Sequence, residues 1–278
     1  MSSYSPLRYP GGKANLAYYI KRIIQNLNMS ECSYFELYAG GAGAALELLF
    51  TNTVKRIILN DADYHIFAFW KSILENTEEF IRLIEITPID MNSWYHQREI
   101  YNDAISNHSM LEIGFSTFFL NRCNRSGIIN KAGPIGGLKQ NGHYKIDCRF
   151  HKYNLIKKIE NIANRTDDIE IYNEDTLNFI KQNHLRLNKR DAFMYLDPPY
   201  YNKGKSLYLN FYTHNDHENL KNLLSNHRNM HWMISYDNVP EINDLYKGFN
   251  SCLHTLNYSL QNKRKTNELF VFSDTIIL

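Results

Sequence analysis

Residues 33–61 read SYFELYAGGAGAALELLFTNTVKRIILND, and the fold class turns on them. SYFELYA, Ser33 to Ala39, is a short apolar run that ends at glycine, the pattern of a buried strand. Gly40, Gly41 and Gly43 follow, then the helix pattern AALELLF, then a second apolar run, RIILND, from Arg56 to Asp61. Strand, glycine turn, helix and strand open a parallel α/β unit. Glycines at such a turn let backbone approach a ligand closely, and the helix N-terminus behind them favours an anion. A dinucleotide fingerprint begun at Gly41 has Leu46 where its third glycine belongs. Asp61 stands 20 residues after Gly41, a spacing that suits a ribose diol or a plain helix cap equally.

Working outward, a helix is expected from Asn15 to Asn28. Strand and helix alternate again through IEIYNED, TLNFIKQNH, AFMYLDPPY, HENLKNLLSNH, HWMISYD and VPEINDLYKG, and SCLHTLNYSL with NELFVFSDTIIL reads as a terminal hairpin. Between these halves the period changes. From Ile66 to Arg122 apolar residues fall at helical spacing, and SGIINKAGPIGGLKQNGHYKI then reads as a long hairpin or irregular loop, with a helix from His151 to Asn164. The expectation is a doubly wound α/β domain built from residues 1–63 and 149–278, interrupted by a helical and β-hairpin insert over 64–148.

With 278 residues the chain buries enough surface to need no disulfide or metal staple, and 44% hydrophobic with 22% charged residues excludes disordered and coiled-coil classes. Four scattered cysteines, no apolar run of 18 residues and no leader-like start point to a cytoplasmic protein with no membrane role. The net charge is +2, yet Asn121 to Lys152 alone is +6 and the remainder −4. A basic block on a near-neutral body suits either a polyanion docked on one face or a solvated loop.

The sharpest motif is Asp197-Pro198-Pro199-Tyr200, directly after the apolar run AFMYL. Two prolines end the strand, so the carboxylate stands at a strand's carboxyl end, where open α/β sheets bind ligands. Asp197 and the Pro198 carbonyl can accept hydrogen bonds from an exocyclic amino group, and Tyr200 can stack on a base. PLRYPGGK, Pro6 to Lys13, is no P-loop: it lacks the preceding strand and the first glycine. His214-x-x-His217 with Asp216 lacks a third metal ligand at fixed spacing, so Asp216 and His217 are better read as a helix start and no metal is expected.

RYPGGK, FELYAGGAG with Asp61, and DPPY, in that order, resemble the Dam family, the D12 class of adenine-specific DNA methyltransferases. The likeness covers nearly the whole chain and places the insert where that family keeps its DNA-recognition domain. It implies a Rossmann-like domain that moves a methyl group from S-adenosylmethionine to N6 of an adenine flipped out of double-stranded DNA. The cofactor would meet Tyr9, Lys13, Glu36, Tyr38, Ala39, Gly40, Gly41, Asp61, Asp175 and Asp197. Catalysis would lie with Asp197, Pro198, Pro199 and Tyr200. One departure is Leu37, where the family often has proline. NRCNRSGIIN resembles the Asn-Arg segment that opens the family's DNA-contacting hairpin, which implies base contacts for Arg122, Asn124, Arg125 and Ser126 and phosphate contacts for Lys131, Lys139 and Lys145. The same reading expects a monomer in a bacterial or phage-infected cell, without a stated target sequence. Its alternatives are an RNA or protein amino-methyltransferase and a silent DNA-binding relic of the fold.

Overall fold

The computed structural model describes residues 3–8, 14–29, 31–201, 212–258 and 264–277. Seven strands form one sheet: β1 Ser33–Glu36, β2 Arg56–Asn60, β3 Ile169–Tyr172, β4 Ala192–Leu196, β5 His231–Asp237, β6 Asn250–Tyr258 and β7 Arg264–Phe272. Their spatial order is β3-β2-β1-β4-β5-β7-β6. β1 runs parallel to β2 and to β4, with Phe35 facing Ile58 on one side and Met194 on the other. β4 and β5 are parallel, whereas β7 enters antiparallel between β5 and β6. The expected doubly wound α/β class and the terminal hairpin are therefore the ones observed. β1, β2 and β4 are buried almost throughout, as parallel strands are when both faces are covered. The order of strands reverses between β1 and β4, which puts a crevice at their carboxyl ends.

Contacts divide the chain into two compact units, residues 11–62 with 174–278, and residues 1–10 with 63–173. The first contains α1 Ala14–Asn26, α2 Gly43–Phe50, α8 Thr176–Gln182, α9 His184–Leu187, α10 His214–Ser225 and α11 Pro240–Leu245. The second contains α3 Tyr64–Glu75, α4 Thr77–Ile86, α5 Met91–Asn102, α6 Met110–Cys123 and α7 Lys152–Ala163. It extends beyond the 64–148 read from sequence because α7 packs on α3 and α4. The N-terminal stretch joins it too, since Asn121 clamps both backbone groups of Arg8, accepting from its N–H at 2.6 Å and donating to its carbonyl at 2.9 Å.

The helix α6 is the axis of this second unit, buried along nearly its whole length and started by a capping box of Ser109 and Glu112. Gly114 allows its approach to α3: a Cβ there would sit 2.6 Å from the Ala68 carbonyl oxygen. Phe69, Phe80, Phe115, Phe118 and Phe150 fill the space around it, Phe80 edge to face with Phe69, Phe115 and Phe118, and Phe69 stacked on Phe118. The segment after α6 forms no β-hairpin ladder. Its one bridge pairs Asn124 with Pro134, and the remainder is turns, because Gly, Pro and inward-turned amides replace the strand alternation a hairpin needs.

Candidate active site

The carboxyl ends of β1, β2 and β4 carry Glu36, Asp61 and Asp197, three of the acidic residues singled out in the sequence, all within the first unit. Glu36 ends β1 and is buried; its Oε2 accepts from Ala45 N–H at 3.0 Å, tying the first turn of α2 to the strand. Leu37 still donates its N–H to the Tyr195 carbonyl of β4 at 3.2 Å, but its own carbonyl accepts from Asn60 Nδ2 at 3.4 Å and Thr176 Oγ1 at 3.2 Å. The glycine turn is then drawn toward β2. Gly40 N–H donates to Asp61 Oδ2 at 2.8 Å, and Ala39 N–H donates to the Asn60 carbonyl at 3.0 Å. Gly40 and Ala42 both take left-handed backbone, each at φ 46. Ala42 offers α2 no side-chain cap. Gly41 is buried beside them, and the Tyr38 hydroxyl meets that of Tyr212 at 2.7 Å.

Asn60, which the sequence reading passed over, is the pin of this region. Besides Leu37 it bonds both backbone groups of Glu174, with Nδ2 donating and Oδ1 accepting at 3.0 Å each. Asp175 caps α8, its Oδ1 accepting from Leu177 N–H and Asn178 N–H at 3.1 Å. Tyr9 and Lys13 lie outside the described residues.

Asp197 follows β4 and is half-buried. Its Oδ1 accepts from Ser235 Oγ at 2.8 Å and from Tyr195 Oη at 3.3 Å, and those two hydroxyls meet at 2.7 Å. Tyr195 is two residues earlier on the same face of β4, and Ser235 comes from neighbouring β5. Burial, with the charge of Asp197 second, pushes the Tyr195 hydroxyl well above its usual pKa, so it stays a donor. Pro198 is buried. The Tyr200 hydroxyl donates to Glu268 Oε1 on β7, and Tyr201 N–H donates to Asp237 Oδ1 at 2.9 Å. Three anchors from β5 and β7 thus hold the turn. Only the Tyr195-x-Asp197 spacing could have been read beforehand.

Behind the turn, His217 of α10 is buried, its Nδ1 3.0 Å from the Tyr236 hydroxyl. Its ring lies 5.4 Å from that of Tyr201 and 5.3 Å from that of Tyr212, so both tyrosines pack on one imidazole. Burial lowers its pKa to about 4. Asp216 completes a capping box with Thr213, the helix start expected of it.

The basic segment belongs to the second unit. Arg125, Lys131, Lys139 and Lys145 are exposed, as a side chain that meets DNA must be, and Ser126 is half-buried at φ 56. Two expected base readers are corrected. Asn124 is wholly buried: Oδ1 accepts from Trp94 Nε1 at 2.8 Å, and Nδ2 donates to the carbonyls of Ile128 and Ile129 at 2.9 and 3.0 Å. An amide spent on its own chain cannot also bridge adenine. Arg122 donates to the carbonyls of Arg149 at 2.8 Å and Pro6 at 3.4 Å, and burial, with Arg8 second, lowers its pKa to about 10. It joins chain segments instead of reaching a guanine.

The family model described as D12 class N6 adenine-specific DNA methyltransferase matches residues 9–260. No curated protein matches. Among solved structures, a Pyrococcus horikoshii protein assigned as an RNA methyltransferase is 10% identical, with a TM-score of 0.44 over 98% of this chain and 89% of its own. Two structures of the rRNA methyltransferase aviRa from Streptomyces viridochromogenes are 11% and 9% identical, both with TM-scores of 0.42, over 97% and 96% of this chain and 88% of theirs.

Proposed function

The chain belongs to the D12 class of N6 adenine-specific DNA methyltransferases, and on that premise we propose that it methylates N6 of an adenine turned out of a DNA duplex, with S-adenosylmethionine as donor. The observation that carries this reading is Asp197 at the end of β4, its Oδ1 oriented by Ser235 and Tyr195 beside the two prolines. A carboxylate so held accepts a hydrogen bond from the amino group of a flipped adenine, and the Pro198 carbonyl accepts the other. Both leave the N6 lone pair directed at the donor. Tyr200, its hydroxyl tied to Glu268, supplies the ring on which the base stacks. Inside the duplex N6 cannot be approached in line, which is why the base must leave the stack.

The donor set fits the cofactor. Left-handed backbone at Gly40 and Ala42 turns the main chain sharply at the end of β1 without a bulky side chain, and Asp61 brings a carboxylate to the same loop for a ribose diol. We assign cofactor contacts to Tyr9, Lys13, Glu36, Tyr38, Ala39, Gly40, Gly41, Asp61, Asp175 and Asp197, with Glu36 acting by holding α2 in place. When bound, S-adenosylmethionine supplies the electrophilic methyl group. Arg125, Ser126, Lys131, Lys139 and Lys145 are assigned to DNA. No helix among the described residues is long and apolar enough to cross a membrane. We place the enzyme in the cytoplasm of a bacterial or phage-infected cell, acting as a monomer.

The test is incubation of the full chain with tritiated S-adenosylmethionine and DNA from a host lacking adenine methylation, followed by nucleoside analysis. N6-methyladenine in DNA is expected. Label found only in RNA or protein, or cofactor binding without transfer, would overturn the proposal.

A further inference from the structure

The loop from Ile135 to Ile146 is built around one side chain. Gln140 turns its amide inward: Nε2 donates to the carbonyls of Ile135 and Gly137, both at 2.7 Å, and Oε1 accepts from Ile146 N–H at 2.9 Å. The backbone closes around it through Gln140 N–H to the Gly137 carbonyl at 3.0 Å and Gly142 N–H to the Gly136 carbonyl at 3.1 Å. Gln140 itself sits at φ 48 and Gly136 at φ 88. A Cβ on Gly136 would lie 2.8 Å from the Tyr144 carbonyl oxygen and 3.0 Å from the Gln140 amide, so the loop closes only with glycine there. A side-chain amide that spans both ends of a loop does for it what a ladder does for a hairpin.

The outward face of this loop is not that of an ordinary solvated turn. Leu138 is 61% exposed and Tyr144 62% exposed, with Lys139, His143 and Lys145 beside them. The rings of His143 and Tyr144 pack edge to face at 4.9 Å. No Asp or Glu occurs between Asn121 and Ile146. Apolar and aromatic knobs on a mostly cationic frame, with Asp147 just beyond it, complement a partner that is a polyanion outside and carries methyl groups and base edges within its grooves. A frame fixed before contact loses little entropy on binding, which favours discrimination over mere attachment.

We propose that the Gln140-centred loop is a preformed sequence-reading element for duplex DNA, in which Leu138 and Tyr144 meet base edges and Gln140 is the positioning residue. The proposal rests on the DNA-methylating function above and adds which residues choose the site. Lys139 brings phosphates to the same loop without selecting among bases, and Lys145, whose Nζ also donates to the Gln140 carbonyl, adds its charge from within the closed loop.

The experiment uses the full chain. Wild type first methylates plasmid DNA, and modification-detecting sequencing defines the preferred site. kcat/KM is then measured on that site and on duplexes changed at one base pair, for wild type and for Leu138→Ala, Tyr144→Ala, Gln140→Ala and Gln140→Glu. Either Leu138→Ala or Tyr144→Ala should lose about tenfold to a hundredfold of the discrimination at one position. Gln140→Ala should lose it at the positions both knobs read. Gln140→Glu, which keeps the acceptor but lacks the two N–H donors, should behave like Ala. If Gln140→Ala fails to melt cooperatively, the two exposed knobs decide the matter. A wild type that discriminates alongside knob variants that discriminate equally well, or that lose rate in proportion on every duplex, overturns the loop's role alone. A wild type that places no methyl group in DNA overturns the function beneath it.

Discussion

Asp197 shows how a reactive side chain is aimed by residues that do no chemistry. Its Oδ1 takes hydrogen bonds from Ser235 and Tyr195, and bonds to a charged acceptor are each worth about 1.5–3 kcal/mol. Replacing Asp197 by Ala should abolish methyl transfer while the chain still melts cooperatively. Ser235→Ala should lower kcat by roughly tenfold to a hundredfold while the chain still melts cooperatively, since it misplaces the carboxylate. A tritium-transfer assay showing wild-type kcat for either variant would remove Asp197 from its role. At the other strand end, Asp61 accepts from Gly40 N–H, so Asp61→Ala should weaken S-adenosylmethionine binding about tenfold or more. Calorimetry returning wild-type affinity for Asp61→Ala would show that the carboxylate neither shapes the loop nor meets the cofactor. The acidic residues were legible because they follow apolar runs. Ser235, Asn60 and Glu268 were not, because their partners lie on strands distant in sequence.

Elements are set by how their ends are tied. α6 runs into a segment with no ladder of its own, and Asn124 supplies the missing bonds from inside. Asn124→Ala would leave the Trp94 indole N–H and two carbonyls buried without this partner. We expect a loss of roughly 2–3 kcal/mol in urea unfolding, and a change within about 0.5 kcal/mol would contradict the buried-pin assignment. α10 holds His217 in a closed aromatic setting where burial lowers its pKa from 6.5 to about 4. The unfolded chain therefore takes up this proton more readily than the folded one. Stability should fall as pH drops through the window from 6.5 to about 4 and gain nothing from this group above it. His217→Gln should flatten that part of the profile. An unchanged slope in denaturation curves across the window would assign the acid sensitivity elsewhere. The helix periods and capping boxes were readable from the chain, yet Asn-Arg pairs after α6 look alike whether they face DNA or the core.

At the scale of the molecule, a net charge of +2 conceals a +6 stretch, and the proposed DNA binding would follow the stretch and not the total. Lys131 and Lys139 are exposed on it, so either one changed to Ala should weaken binding to every duplex alike and make the salt dependence shallower by about one counterion. Titrations at several salt concentrations check this, and lysine variants that lose sequence preference would contradict a phosphate role. The α/β class and the family were determined by the sequence alone. Burial of strands on both faces enforces continuous apolar runs, and prolines after β4 stop a strand wherever they occur. What only the tertiary structure decided is which polar side chains face outward. Asn124 and Arg122 carry the same groups as a base reader, and Gln140 has the composition of any loop residue. An amide or guanidinium is committed by the donors and acceptors that the fold brings within 3 Å or so, and those partners come from chain segments whose approach no local pattern records.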